Sequence, residues 1–556
     1  MNKLELEQPQ EQTFQAESIG VLKAESCTDY FKERGLYFLL DDGKMYADTE
    51  NGPAEISGYA PLLTDDTIKK FTFKPKGIYR EILKSQPDVL PFYDIEVAQY
   101  VIDPSTSEYT LQDIFSRYIG MRADDNGLCV TFVSRMRDIV SAQLEITQSH
   151  GQHELLYNIE FPLTVVLADM ENCGFYVDRA ALERYSIRLA GQIDSLEKRI
   201  YFLAGEHFNI NSPKQLGVIL FEKLKLPHGK KTKSGYSTNA EILQKLSGKH
   251  EIVDEILEYR KYVKLKSTYC DGLLKLIGQD GKIHTSFNQT VTQTGRISST
   301  EPNLQNIPVR TELGRELRAM FAADDDCVLV DADYSQIELR VLAHMANDEK
   351  MLDAFAREED IHTVTASSVF NVPTDFVTPE MRRMAKAVNF GIVYGISDFS
   401  LAQDIKTTRT QARQYIDSYL NLYSGVRTYM KNVVSSAHKN GYVKTLFERR
   451  RYLPELESKN FNIRSFGERA AMNAPIQGTA ADIIKIAMVN TRRALLDGGF
   501  RAKLILQVHD ELIIEAPEEE KDGVCALLSR EMENAAKLNV RLRADVQWGR
   551  TWYECK

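Results

Sequence analysis

The chain has 556 residues, past the size at which one hydrophobic core keeps growing, so several domains are expected and a small disulfide-stapled scaffold is excluded. Hydrophobic residues at 43% and charged residues at 27% give the balance of a globular protein that buries sizeable cores, which excludes wholesale disorder. The net charge of −10 does not exclude a polyanionic partner, because residues 1–66 carry 5 Lys+Arg against 14 Asp+Glu and the other 490 residues sum to only −1.

In chain order, the amino terminus MNKLELEQPQEQTF has neither a basic n-region nor an apolar h-region. No apolar run approaches the roughly 18 residues that cross a bilayer. A cytoplasmic protein without membrane contact is expected. Cysteines at 27, 129, 173, 270, 327, 525 and 555 form no CxxC pair, which fits reduced thiols and argues against zinc. The first 150 residues alternate β-rich runs (GLYFLL, KMYAD) with helical stretches such as YDIEVAQYVI, and carry turn signals at Asp42-Gly43 and Asn51-Gly52. They predict a small α/β domain.

From Leu155 to Phe208 the pattern is helical, with one break at ENCGFYVD, residues 171–178. Capping boxes are predicted at Ser212-Pro213-Lys214-Gln215 and Thr238-Asn239-Ala240-Glu241, separated by the basic loop HGKKTKSGYS. Residues 214–268 hold 12 Lys+Arg against 6 Asp+Glu, including Lys223, Lys225, Lys230, Lys231 and Lys233. A run like this is either a solvated face or a phosphate-binding one.

Residues 328–344, VLVDADYSQIELRVLAH, predict a strand that gives way to a helix at Ile337. Its period of two puts Asp331 and Asp333 on one face. Residues 379–397, PEMRRMAKAVNFGIVYGIS, place Arg382, Lys386, Phe390 and Tyr394 four apart, in a slanting stripe roughly 18 Å long. Cations at one end and aromatics at the other suit a triphosphate and a base. Residues 503–515, KLILQVHDELIIE, predict a hairpin with Gln507, His509, Asp510 and Glu511 about its tip. Acids at the ends of neighbouring strands suit a two-metal site, whose ions lie about 3.5 to 4 Å apart and clamp an in-line displacement at phosphorus.

DADYSQIELR, RRMAKAVNFGIVYG and QVHDELI resemble motifs A, B and C of the family A DNA polymerases, the bacterial DNA polymerase I type. TQTGRISSTEPNLQNIP at 292–308, DIHT at 360–363 and ERAAMNAPIQGTAADIIK at 468–485 match in order and spacing, so the resemblance covers about 155–556. It implies a multidomain α/β plus α+β chain: a right hand of palm (about 155–177, 291–343 and 464–556), thumb (about 178–290) and fingers (about 344–463). Residues 1–154 would form an RNase H-like, 3′-5′ exonuclease-type domain.

The resemblance implies roles position by position. Asp333 and Asp510 would bridge two Mg²⁺ ions, with Mn²⁺ as the alternative, Tyr334 would lend its carbonyl to a metal, and Glu511 would be a supporting acid. Glu338 matches the steric gate against a ribose 2′-hydroxyl. Arg382, Lys386 and His362 would hold the triphosphate of a dNTP, Lys386 also protonating the leaving pyrophosphate. Phe390 would pack on sugar and base, and Tyr394 would flank the nascent pair on the template side. Arg296, Asn303, Gln305, Arg469, Asn473, Gln477 and His509 match contacts to primer and template. The partners implied are primer-template DNA and dNTPs, with a monomeric enzyme. The 214–266 stretch resembles the thumb, and Arg449, Arg450 and Arg451 are expected to face either DNA or solvent.

The match to the exonuclease-type domain runs out. Asp48-Thr49-Glu50 spells DxE but lies too close to Asp94 for the usual order, and the second motif's acid would fall near Phe73-Lys74. Turn residues without proofreading activity are expected there. No segment corresponds to a 5′ nuclease, so strand displacement is expected. The rivals are a single-subunit RNA polymerase, against which Glu338 and Phe390 speak, a 3′ exonuclease, and a catalytically dead DNA-binding scaffold.

Overall fold

The hairpin of Leu36–Asp41 (β2) and Lys44–Thr49 (β3) is closed by Asp42 and Gly43, both at positive φ (46° and 76°). This backbone twist matches that of the flanking strands. The computed structural model describes residues 19–123, 127–227, 235–308 and 312–556. Lys230, Lys231 and Lys233 of the predicted basic loop lie outside the described residues. Among the described residues no helix is long and apolar enough to cross a membrane.

The described chain divides into two compact units, residues 1–173 with 286–300 and 330–548, and residues 174–285 with 301–329 and 549–556. In the first, Val21–Lys23 (β1), Gly52–Ser57 (β4), Lys70–Thr72 (β5) and Tyr93–Asp94 (β6) join the hairpin in a six-stranded sheet of order β1-β4-β3-β2-β5-β6. β4, β3 and β2 pair antiparallel, whereas β5 and β6 continue parallel to β2. Alternation along β2 sends Leu36 and Phe38 into one core and Leu39, with Tyr37 packed beside it, into another on the opposite face. The Leu128–Ser149 helix covers the second core.

Asp48 corrects an expectation. It lies within β3, the second strand of the meander, and its Oδ2 accepts from Arg137 Nε at 2.6 Å. The guanidinium carbon of Arg137 stands 4.2 Å from the Tyr37 ring centroid, and Tyr37 stacks on Phe71. The same face of the neighbouring β2 carries Tyr37, Leu39 and, at its end, Asp41, whose Oδ2 accepts from Cys129 Sγ.

A four-stranded sheet has the order Lys503–Val508, Glu511–Pro517, Cys327–Tyr334, Ala544–Gly549. Beside it runs the 37-residue Phe461–Asp497 helix. Pro475 lies inside this helix, and Gly478 lets it approach the 441–453 segment, since a Cβ there would meet Thr445 Cγ2 at 2.7 Å.

In the second unit the Arg179–Ala204 helix is capped by Asp178 and ends at Gly205, whose φ of 70° is the left-handed conformation glycine adopts without strain. It packs with Glu251–Lys264 about Ile200, Leu216, Leu243, Ile252 and Ile256. The predicted capping boxes are only half formed. Ser212 caps Gln215 N, but Gln215 Oε1 turns to Asn209 N. Asn239, not Thr238, caps the next helix by accepting from Ile242 N, while the Thr238 carbonyl and Oγ1 both accept from Arg260. Arg318, buried, lies over the Trp552 ring at 4.0 Å.

Candidate functional site

Strand order brings the predicted acids together. The Glu511–Pro517 strand adjoins Cys327–Tyr334, and Tyr334 N donates to Asp510 O at 3.0 Å where the two meet. His509 and Asp510 form the tip of the 503–517 hairpin, with His509 at φ 53°. Asp333 is exposed while Asp331 is 2% exposed, so only the outer of the two alternating acids reaches the surface. Burial, the Glu338 charge and Asp333 push the Asp510 carboxyl up to about 7, against the pull of Arg296. Glu511 is buried.

Glu338 begins the Ile337–Ala346 helix, buried, and burial raises it above the usual carboxylate range despite two partners. Arg296 Nη2 donates to its Oε1 at 2.9 Å, and Tyr394 Oη to its Oε2 at 3.2 Å. Burial and the Glu338 charge push the Tyr394 phenol up to about 12. A polar chain thus runs from Arg296 through Glu338 to the aromatic end of the stripe.

The stripe itself forms as predicted on the Pro379–Val393 helix, with Tyr394 as its C-cap. Arg382 and Lys386 are exposed and Phe390 half-buried, with Lys386 Nζ 5.8 Å from the Phe390 ring centroid. Arg382 Nε donates to Asp360 Oδ2 at 3.2 Å. His362, 2% exposed, has its ring 5.8 Å from that of Phe390. Burial and the cations Lys386 and Arg382, against Asp360, bring the imidazole down to about 4.

Arg469, Asn473 and Gln477 follow one another on successive turns of the Phe461–Asp497 helix, all half-buried. Asn473 Nδ2 reaches Val393 O at 3.4 Å, and Arg469 donates to Ser465 Oγ. Gly395, at φ 64°, permits this approach: a Cβ there would meet Met472 Cε at 2.8 Å and Arg469 Cγ at 3.0 Å. In the other unit, Asn303 caps the Leu304–Asn306 turn by accepting from Gln305 N.

Arg449 departs from expectation, facing neither DNA nor solvent. It is 4% exposed and sits between Glu160 and Asp482, with Lys485 Nζ 2.7 Å from Glu160 Oε1. Thr445 and Gln289 complete the cluster. Gly295 lies flat on this guanidinium, since a Cβ would meet Arg449 Nε at 2.7 Å. The buried quartet therefore supports the loop that carries Arg296. A run of three arginines masked it in the sequence; the counter-ions lie in distant segments. Arg450 stands over Tyr442 at 4.5 Å and its Nη2 reaches His150 O.

Comparison with known proteins gives the family of the chain. The model for DNA polymerase family A matches residues 179–554. The DNA polymerase I of Bacillus caldotenax is 55% identical over 545 residues, covering 94% of this chain and 62% of that protein. That of Geobacillus stearothermophilus is 55% identical over 546 residues, covering 94% and 61%. The solved POL domain of Pol1 from M. smegmatis, in complex with DNA primer-template and dNTP, is 37% identical with a TM-score of 0.90, covering 96% of this chain and 99% of that one. The chain belongs to DNA polymerase family A. It spans about 60% of the length of the curated relatives it matches.

Proposed function

We propose that the chain is a DNA-directed DNA polymerase, in which a primer 3′-hydroxyl attacks the α-phosphate of a template-paired dNTP and pyrophosphate leaves. The observation that carries this reading is the meeting of Asp333 and Asp510 on adjoining strands, linked through Glu338 and Tyr394 to a stripe of cations and aromatics. Primer extension on a gapped template, with all four dNTPs and Mg²⁺, tests it.

Among the described residues no group of three or more His, Cys, Asp or Glu gathers at metal-binding spacing. The oxygen donors Asp333, Asp510 and the Tyr334 carbonyl nevertheless fit Mg²⁺, which keeps several waters and takes one or two carboxylates plus substrate phosphates. Mn²⁺ suits the same donors. A carboxylate that burial and neighbouring charge make reluctant to ionise, as at Asp510, is one a bound cation relieves. Two bound ions would acidify the primer hydroxyl and neutralise charge on the departing pyrophosphate.

The chain's own residues do the rest. Arg382 exchanges Asp360 for phosphate oxygens, and Lys386 adds a second cation placed to protonate pyrophosphate. His362 donates to the triphosphate. Phe390 packs on the sugar and base, and a phenylalanine there disfavours dideoxynucleotides. Tyr394 flanks the nascent pair and leaves Glu338 as the site closes on a correct pair. Arg296, Asn303, Gln305, Arg469, Asn473, Gln477 and His509 contact primer and template, reading minor-groove acceptors common to every correct pair. Glu511 supports Asp510.

Glu338, packed where a ribose 2′-hydroxyl would lie, excludes ribonucleotides. Glu338→Ala is expected to raise the ratio of rNTP to dNTP kcat/KM by about tenfold or more. The ratio is the readout, because loss of the Arg296 and Tyr394 bonds also slows dNTP use. An unchanged ratio would remove Glu338 from sugar selection.

The proposed assignment keeps palm, thumb and fingers at about the boundaries read from sequence, with residues 1–154 as an RNase H-like exonuclease-type domain that has lost its activity. Supporting the loss, Asp48 lies on the second strand and is held by Arg137, Asp41 at the end of β2 accepts from Cys129 Sγ, and Asp94 caps a helix by accepting from Glu96 N and Val97 N. Incubation of 3′-ended DNA with Mg²⁺ and no dNTP is expected to release no nucleotides; steady release would restore proofreading. The 556-residue polypeptide is further proposed to act as a monomer in the cytoplasm, on the nucleoid, and to displace a downstream strand. Clean nick translation by the purified chain would oppose displacement.

A further inference from the structure

The surroundings of His362 bear on the form in which it would meet the triphosphate. His362 lies at the start of the Ile361–Phe370 helix, and its Nδ1 is 2.8 Å from the side-chain amide nitrogen of Asn389, on the Pro379–Val393 helix. Asn389 is wholly buried. Its Oδ1 lies 3.1 Å from Thr365 Oγ1, whose single proton is shared between that oxygen and Ile361 O at 2.7 Å, and Thr365 Oγ1 lies 3.3 Å from Tyr423 Oη. Thr365 and Tyr423 are buried too, so the amide is held at both ends in a dry network.

We propose that Asn389 is a positioning residue for nucleotide binding, which fixes the His362 ring in the tautomer that carries its proton on Nε2 and presents that N–H to the incoming triphosphate. The proposal rests on the polymerase reading above. Phosphate oxygens accept hydrogen bonds and donate none, so the ring nitrogen that meets them must carry a proton. A neutral imidazole has one donor and one acceptor nitrogen; if Nε2 donates, Nδ1 accepts and needs a donor opposite it. The amide –NH₂ of Asn389 is such a donor, whereas a carboxylate at the same place would demand a proton on Nδ1 and so turn the ring into an imidazolium. The charged groups facing the ring are Asp360, beside it at the helix cap, and Lys386 and Arg382 from the opposite helix. Two cations already serve the phosphates, and a neutral donor adds a directed bond without adding repulsion between them.

The consequence is a dNTP affinity whose His362 contribution is independent of pH through the physiological range. In single-nucleotide incorporation on primer-template DNA with Mg²⁺, from about pH 5.5 to 8.5, the wild type is expected to show no ionisation in KM for dNTP attributable to His362. Asn389→Asp is expected to introduce one between about pH 6 and 8, with kcat changed less than KM. Asn389→Leu is expected to raise KM about tenfold at every pH, the ring being left unheld. Adding His362→Gln to Asn389→Asp is expected to abolish the new ionisation, since glutamine is a neutral donor at any pH. A wild-type pH profile in a folded Asn389→Asp variant would overturn the proposal, as would an ionisation that survives His362→Gln.

A second measurement needs neither a variant at 389 nor catalysis. The ¹⁵N shifts of the His362 ring in the wild-type protein, identified by their loss in His362→Gln, are expected to show a protonated Nε2 and a bare Nδ1 above about pH 5. The opposite pattern would sink the proposal even if the enzyme extends primers. Absence of any dNTP incorporation by the wild type would instead overturn the polymerase reading, leaving the tautomer to be judged by its spectrum.

Discussion

Asp510→Ala is expected to reduce primer extension on a gapped template by about 10³-fold or more, while binding to the same DNA is retained. Asp510 sits at the tip of its hairpin, where it braces little of the sheet; the flanking strands hold their register through backbone bonds such as Val508 with Glu511. Its removal therefore takes away one of two metal-bridging carboxylates without dismantling the strands that carry it. Loss of duplex binding in parallel with activity would make the effect structural. Binding of DNA by a wild type that does not extend would favour the scaffold reading, and the motif assignments would fail at their centre. Extension by the variant at the wild-type rate would leave Asp510 without the role proposed for it.

Arg449→Met is expected to be the most destabilising of the single substitutions considered, by about 3–5 kcal/mol, because it leaves Glu160 and Asp482 buried with Lys485 as their one remaining cation. Burial alone would raise Glu160, yet Arg449 and Lys485 bring its carboxyl down to about 2, which shows how strongly the cations hold it ionised. The same arginine supports Gly295, so the loop carrying Arg296 loses its floor along with the charge balance. Urea unfolding would measure the first effect, and KM for dNTP in the surviving folded fraction the second. Arg449→Lys keeps the charge but not the planar fork that spans two carboxylates, and is expected to fall between. Arg449→Met unfolding at the wild-type midpoint would mean that the quartet contributes nothing net.

The two residues differ in how they could have been found. Asp510 stands in a hairpin that period-two alternation and a polar tip announce within thirteen consecutive residues, and the six motifs in order identify its family. Arg449 stands in a run of three arginines, a pattern that reads as a solvated or phosphate-facing stretch. Its counter-ions at 160 and 482 lie some 289 and 33 residues away, and no local periodicity links them. Asn389 escaped for another reason: a lone asparagine in an amphipathic helix reads as an indifferent polar residue until the ring it faces is known.

The sequence by itself determined what is local and periodic: the alternation of the strands, the four-residue spacing of Arg382, Lys386, Phe390 and Tyr394, the hairpin tip at His509 and Asp510, and the family. These follow from backbone geometry, which repeats every two or 3.6 residues whatever the rest of the chain does. Only the tertiary structure decided which charges are buried and what they meet. It put Arg449 with Glu160, Asp48 with Arg137 and Asn389 with His362, and it separated exposed Asp333 from buried Asp331 two residues earlier. The physical reason is that burial and electrostatic pairing depend on distance through space, which strands and helices from far along the chain set jointly and which no window of sequence contains.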